Sequence, residues 1–344
     1  MLFISVIIPV RNESRHIEEV LDRLLEQDYD SDRHEILVID GQSDDDTQEK
    51  VARYVAKYPR VRLLDNPKRL SSSARNIGIQ NARGDVILLV DGHCIIDSKE
   101  MLRNIDAAFQ NSGADCLGRP QPLELSNADA MQLAIAAARR SLIGHHPDSF
   151  IYAGKPCFSP AISVAVAYRK EVFEKVGLFD ERFDAAEDCE LNHRIDKAGL
   201  KCYFTPNIAV RYVPRATFSA LAKQLVRYGK GRVRLSRKHP ETSSWKSFLP
   251  AVFVAGLISG VVLCLLWGFL ALFGTEHTLL RGTCFLYLGI VAFYLAVVLA
   301  ESVRLALSRR KWFYYFLLPP VFMTIHVASG WGLLKEYLIS KNVI

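Results

Sequence analysis

Three long stretches without a single charge constrain this 344-residue chain more than any motif does. Residues 248–273, 282–300 and 312–334 contain no Asp, Glu, Lys or Arg. Each is close to or beyond the roughly 20 apolar residues that cross a bilayer core, so they read as transmembrane helices rather than as buried helices of a soluble core. The third is interrupted by Pro319-Pro320 and carries His326, which leaves both a full span and a kinked or re-entrant helix open. Residues 1–247 mix charged and apolar positions in globular fashion. The expected organisation is a soluble domain over 1–210, a basic interfacial helical segment over 211–247, and a membrane region over 248–344 with about three transmembrane helices.

Charge orients that plan. Ten Lys or Arg and one acid, Glu241, lie between Arg211 and Lys246, the excess expected beside a cytoplasmic membrane face. Arg304, Arg309, Arg310 and Lys311 mark the same side after the second stretch. The first residues lack a basic leader, so the soluble domain is expected to stay on the side where it is made. A multi-pass protein of a bacterial inner (plasma) membrane with its soluble domain in the cytoplasm follows. The net charge of +6 fits membrane lipids, and no nucleic-acid motif accompanies it. Seven cysteines without C-x-x-C spacing read as reduced, mostly buried thiols.

Along the soluble part, apolar runs at 3–8, 36–39, 61–64 and 86–90 alternate with segments of helical spacing at 17–25, 47–58 and 71–82. Such alternation predicts an α/β fold, a mainly parallel sheet with helices on both faces. Further along, 128–143 reads as a small-residue helix, 144–160 as a loop with His145-His146, 161–168 as a strand, and 171–176 and 187–198 as helices. Ligands of open parallel sheets sit beyond the strands' carboxyl ends, where Pro9–Glu13, Asp40 and Asp91 all fall. No Walker A sequence and no dinucleotide fingerprint occur, which removes support for P-loop ATP hydrolysis and for hydride transfer.

Two acidic motifs then stand out, Asp91-Gly92-His93 after the apolar run 86–90 and Glu187-Asp188 at a helix start. A carboxylate ending a buried strand needs hydrogen bonds or a cation, because an unpaired one is costly to desolvate. A second, separate carboxylate can accept a proton from a hydroxyl. Acids in a first helical turn are also favoured by the helix dipole alone. Asp40 can accept from a base N–H or cap its own loop. Arg75 and Asn76 can bind base or phosphate, or Arg75 a surface acid. His93 can ligate a cation or hydrogen-bond a diphosphate or its loop.

These motifs, with Val6-Ile7-Ile8-Pro9-Val10-Arg11-Asn12-Glu13, Val38-Ile39-Asp40-Gly41, Ala74-Arg75-Asn76-Ile77-Gly78 and Gly84-Asp85, resemble the family 2 glycosyltransferases of the inverting, metal-dependent GT-A type. The similarity is greatest to the membrane-anchored exopolysaccharide enzymes of the succinoglycan glucosyltransferase group. It covers about residues 4–200 in order and implies a GT-A fold followed by a transmembrane helical tail. The resemblance implies Asp188 as general base, and Pro9, Arg11, Glu13, Asp40, Arg75, Asn76 and Asp91 around the nucleotide. It further implies Asp91 and His93 at Mn²⁺ or Mg²⁺, with His93 where the family usually has a second Asp. Glu187 and a Gln224, Arg227, Tyr228 motif are expected at the acceptor or diphosphate. That motif resembles the Gln-x-x-Arg-Trp of polysaccharide synthases with Tyr for Trp, and reads equally as an interfacial helix with Leu221, Leu225 and Val226 facing lipid.

The implied reaction moves a sugar from a nucleotide-sugar donor, UDP-linked, to a lipid-diphosphate-linked saccharide acceptor, within exopolysaccharide or cell-surface glycan synthesis. A polysaccharide-assembly complex is an expected partner and nucleic acid is not. A polyprenyl-phosphate sugar synthase and a catalytically silent nucleotide-sugar-binding subunit are the alternatives.

Overall fold

The computed structural model describes residues 1–144, 154–273 and 277–339; His145-His146 lie outside them. The described residues form two compact units, 1–124 with 154–213, and 125–144 with 214–339. The stretch 125–144, read from sequence as part of the first domain, groups with the tail.

Elements follow in the order β1 (Ile4–Val10), α1 (Ile17–Leu25), β2 (His34–Asp40), α2 (Thr47–Lys57), β3 (Val61–Asp65), α3 (Ser71–Asn81), β4 (Val86–Leu89), β5 (Cys94–Ile95), α4 (Met101–Ser112) and β6 (Cys116–Gly118). After α5 (Ala130–Arg139), which belongs to the second unit, come β7 (Cys157–Phe158), β8 (Ala165–Arg169), α6 (Lys170–Val176), α7 (Glu187–Lys197), β9 (Cys202–Phe204) and β10 (Arg211–Tyr212). One sheet has the order β3-β2-β1-β4-β8-β6-β9-β7. The first four strands are parallel; β8 runs against both β4 and β6, while β6 and β9 are parallel. This is the mainly parallel sheet that the alternating pattern predicts.

Its strands are apolar on both faces because both faces are covered. Val6, Ile8, Val10, Ile36, Val38, Val86 and Leu88 pack with Ile17, Leu21, Ile105 and Phe109 of α1 and α4. The alternate residues Ile7, Leu37, Ile39, Ile87 and Leu89 pack with Ala74, Ile79, Val172, Leu191 and Ile195 of α3, α6 and α7. The period of two along each strand thus divides one sequence between two cores. Gly78 lets α3 lie against β1, since a Cβ there would stand 2.5 Å from the Ile7 side chain.

The strand expected over 161–168 begins only at Ala165, and Ala161–Ser163 is a short 3₁₀ turn. The Asp196 carboxylate of α7 accepts the backbone N–H groups of Ala161 and Ile162 at 2.7 and 3.0 Å. Those donors are thereby withdrawn from any ladder.

The second unit contains α5, α8 (Phe218–Lys238), α9 (Leu249–Leu272), α10 (Thr278–Arg309) and α11 (Tyr314–Ile339). Three helices, Trp245–Leu272, Thr278–Arg309 and Tyr314–Ile339, are long and apolar enough to cross a membrane. Helix α11 continues through Pro319 and Pro320 and packs on α8, α9, α10 and α5. His326 engages the Ile143 carbonyl through Nε2 at 2.7 Å and the Tyr294 hydroxyl through Nδ1 at 2.9 Å. Leu221 and Leu225 of α8 pack with Leu318, Val321 and Phe322 of α11. They do not face lipid, because α11 supplies the apolar partner.

Candidate active site

The carboxyl ends of β1, β2 and β4, helix α3 and the N-terminus of α7 carry the predicted residues of the first unit. Loop 11–14 after β1 is joined to loop 41–47 after β2 by side-chain contacts. Asn12 N–H donates to Ser43 Oγ at 2.9 Å, Asp44 N–H to Asn12 Oδ1 at 2.8 Å, and Glu13 N–H to Thr47 Oγ1 at 2.9 Å. Asn12 takes positive φ to make this turn. Pro9 is half-buried and Arg11 exposed beside it. Asp40 is buried, and its oxygens accept from Ser43 Oγ at 2.5 Å, Ser43 N–H at 3.0 Å and Gln48 Nε2 at 2.5 Å. These bonds are the loop-capping arrangement that the sequence left open for this residue.

Asp91 follows β4 with its side chain 41% exposed. Tyr212 of β10 donates its hydroxyl hydrogen to Asp91 Oδ2 at 2.8 Å, and Arg75 Nη2 lies 4.0 Å from Oδ1. Burial pushes the Asp91 carboxyl upward, yet Arg75, the Tyr212 hydrogen bond, His93 and Arg119 together hold it below the ordinary value. Arg75 reaches this point from α3, 12% exposed, with Nη1 2.8 Å from Glu187 Oε1 and its guanidinium 5.3 Å over the Phe179 ring. Burial works against its charge, but Glu187, Asp91 and Asp188 keep it firmly protonated. One arginine therefore ties the Asp91 loop to the start of α7.

Glu187 is buried and Asp188 exposed. Asp188 Oδ1 accepts the Cys189 N–H at 2.8 Å, a helix-start bond that leaves the carboxylate at the surface. Ala186, immediately before, is held at φ 61°, a left-handed conformation that costs an L-residue about 1–2 kcal/mol. Asn76 does not face the cleft. Its amide donates to Phe179 O at 2.9 Å and Glu181 Oε1 at 3.0 Å and accepts from Phe179 N–H at 2.9 Å, so it positions the loop before α7.

His93 Nδ1 lies 2.9 Å from Glu13 Oε1, and its ring meets Tyr212 edge-on at 6.1 Å. A carboxylate behind the imidazole orients it as in many metal sites, with coordination then falling to Nε2. Asp91 and His93, one carboxylate and one imidazole two residues apart, are a donor pair suited to Mn²⁺ or Mg²⁺ when diphosphate oxygens complete the set.

Two residues at this edge escaped sequence reasoning. Tyr212 sits in a two-residue strand without periodicity, and only the antiparallel pairing of β10 with β5 brings it to Asp91. Arg119 follows β6 and is 2% exposed; a charge directly after an apolar strand was the available signal, as for Asp91. Gln224, Arg227 and Tyr228 lie on α8 in the second unit. Gln224 Nε2 donates to the Tyr228 hydroxyl at 3.0 Å, and the Tyr228 ring is half exposed.

Comparison with known proteins supplies the relatives. Residues 3–231 match the family model described as glycosyltransferase like family 2. A Methanococcus voltae protein, dolichyl N-acetyl-alpha-D-glucosaminyl phosphate 3-beta-D-2,3-diacetamido-2,3-dideoxy-beta-D-glucuronosyltransferase, is 27% identical over 99% of this chain and 99% of its own length. The succinoglycan biosynthesis protein ExoA of Rhizobium meliloti (strain 1021) is 30% identical over 76% of this chain and 78% of its own. Among solved structures, the mannosyltransferase PcManGT from Pyrobaculum calidifontis, in complex with GDP-Man and Mn²⁺, superposes with a TM-score of 0.58 at 18% identity. That match covers 99% of this chain and 88% of that one. The fold is the GT-A fold followed by a helical tail.

Proposed function

The chain belongs to glycosyltransferase family 2, and from that premise we propose that it is an inverting, metal-assisted, membrane-anchored sugar transferase. The donor is a nucleoside diphosphate sugar, UDP-linked, and the acceptor a lipid-linked saccharide in exopolysaccharide or other surface-glycan synthesis. The observation that carries this reading is the Arg75 bridge. Arg75 joins the strand-end carboxylate Asp91 to Glu187, the neighbour in sequence of the surface carboxylate Asp188, which supports a shared site for the two acids. One carboxylate is thereby available to the leaving group and another to the attacking hydroxyl.

In this mechanism Asp188 takes the proton of the acceptor hydroxyl while that oxygen attacks the anomeric carbon, and the nucleoside diphosphate departs from the opposite face. Asp91 and His93 would hold the divalent cation, which neutralises charge on the departing diphosphate. Glu187 keeps Arg75 in place, Tyr212 orients Asp91, and Glu13 orients His93. Pro9, Arg11 and the joined loops 11–14 and 41–47 wall the nucleotide, and Asn76 steadies the loop before α7. The exposed Tyr228 ring suits stacking on an acceptor sugar, with Arg227 for its phosphate.

The relatives support the acceptor class. The archaeal relative is named for a lipid-linked sugar phosphate acceptor, and the rhizobial one for succinoglycan synthesis. The three apolar helices and the ten cations between residues 211 and 246 support a bacterial-type plasma membrane location with the catalytic unit on the cytoplasmic face.

The test is release of nucleoside diphosphate by the detergent-solubilised chain across a panel of nucleotide sugars, with and without Mn²⁺, using a membrane lipid extract as acceptor. Metal-stimulated release with one donor and a lengthened lipid-linked oligosaccharide by mass is expected. A phosphodiester-linked monosaccharide would instead make it a polyprenyl-phosphate sugar synthase, and donor binding without any turnover a silent subunit. Asp188→Asn should abolish turnover and preserve donor binding; unchanged turnover would remove Asp188 as the base.

A further inference from the structure

Arg119 is a buried cation with no ion-pair partner among the described residues. It stands at the carboxyl end of β6, which runs antiparallel to β8, as β4 does; Arg119 and Asp91 therefore emerge at the same edge of the sheet. The side chain is 2% exposed and is the largest of the fully buried side chains. Its described hydrogen bond is a long one, Nη2 to the Leu89 carbonyl at 3.3 Å. Nε and Nη1 are buried and, among the described residues, have no partner. No described carboxylate lies within the 4.0 Å of an ion pair.

Three partly buried arginines differ. Arg75 has Glu187 at 2.8 Å, and Arg194 has Glu190 at 2.8 Å. Arg169 donates to the carbonyls of Ala114 and Phe109 at 3.0 and 3.2 Å. Guanidinium does not lose its proton in proteins, so burying one without a counter-charge is disfavoured unless a counter-charge arrives. Its contact with the Leu89 carbonyl lies two residues before Asp91, and its charge helps to hold the Asp91 carboxyl low, which puts it beside the proposed reaction centre.

We infer that Arg119 is an anion-recognition residue of the substrate site, its unpaired Nε and Nη1 donating to anionic oxygens that the substrate brings. The inference rests on the glycosyltransferase reading and adds to it a residue which that reading does not require. Nε and Nη1 lie on different edges of the guanidinium, so each takes a separate oxygen, and carboxylate and diphosphate oxygens accept such charge-assisted N–H bonds alike. The source is therefore either the donor's diphosphate or the carboxylate of an acidic sugar. Shielding of both nitrogens from bulk water strengthens the pairing once it forms.

Calorimetric titration of the full detergent-solubilised chain with UDP, GDP, UDP-glucose and UDP-glucuronate, in Mn²⁺, decides it with Arg119→Met and Arg119→Lys. A diphosphate source predicts that Arg119→Met weakens every bound ligand at least tenfold, with partial recovery in Arg119→Lys. A carboxylate source predicts a loss of that size for UDP-glucuronate alone. Wild-type affinities for all ligands in a folded Arg119→Met chain overturn the inference and leave the glycosyltransferase reading standing. A wild-type chain that binds none of the four removes the donor reading and the inference together. Should neither variant fold, melting of the wild type in inorganic pyrophosphate or glucuronate is the readout; no stabilisation by either overturns the inference.

Discussion

At the scale of single residues the proposed site is a set of short polar links, each with its own testable weight. The Glu13–His93 contact of 2.9 Å is the clearest. If it orients the imidazole toward a cation, Glu13→Gln should weaken Mn²⁺ binding about 10–100-fold. Electron paramagnetic resonance titration of Mn²⁺ in the presence of UDP measures this, and unchanged affinity would separate Glu13 from the metal. Ala186 at φ 61° makes a different prediction. Glycine removes the left-handed strain but adds unfolded-chain entropy, so Ala186→Gly should stabilise the fold by about 0.5–1 kcal/mol. A melting curve that does not rise would show that Glu187 and Asp188 are not held at a strained turn.

At the scale of elements, the junction of α3 with β1 and the composition of β2 set the stability of the first unit. A methyl at Gly78 meets Ile7 at 2.5 Å, so Gly78→Ala should cost about 1–3 kcal/mol. Ile7→Ala in the same chain removes the Cγ2 that the methyl meets, so the double variant should lose less than the sum of the two single losses, and additive losses in chemical denaturation would mean that the two do not touch. In β2, burial pushes the His34 imidazole below its ordinary 6.5. Burial raises the Glu35 carboxyl, but the Arg83 N–H, the Ser5 hydroxyl and the Arg83 charge bring it below its ordinary 4.5. Both folded-state values are depressed, so the unfolded chain binds more protons in acid. Both contributions are complete above pH 6.5; that of His34 declines as pH falls below 6.5, and that of Glu35 below 4.5. The melting temperature should therefore fall from pH 7 to pH 4, and His34→Gln should flatten the upper part of that slope.

At the scale of the whole molecule, the three apolar helices leave side chains such as Leu265, Phe269, Leu279, Phe285 and Phe293 exposed, a surface that water does not tolerate. The chain should therefore remain in the membrane fraction after alkaline carbonate and high salt, and recovery in the wash would contradict spanning. Sequence alone determined this division into a globular part and an apolar tail, because charge content and stretch length are local properties. It also determined the parallel strands, whose apolar runs reflect burial on both faces, and the strand-end positions of Asp40 and Asp91 and the helix-start position of Asp188, because each follows from a local pattern. The tertiary structure alone decided the partners. Asn76 turns to the loop before α7, Tyr212 reaches Asp91 across the β5–β10 pairing, and Arg119 lies buried without an ion-pair partner among the described residues. These depend on residues 30 to 121 positions apart meeting in space, and a period of 2 or 3.6 carries no information about such meetings.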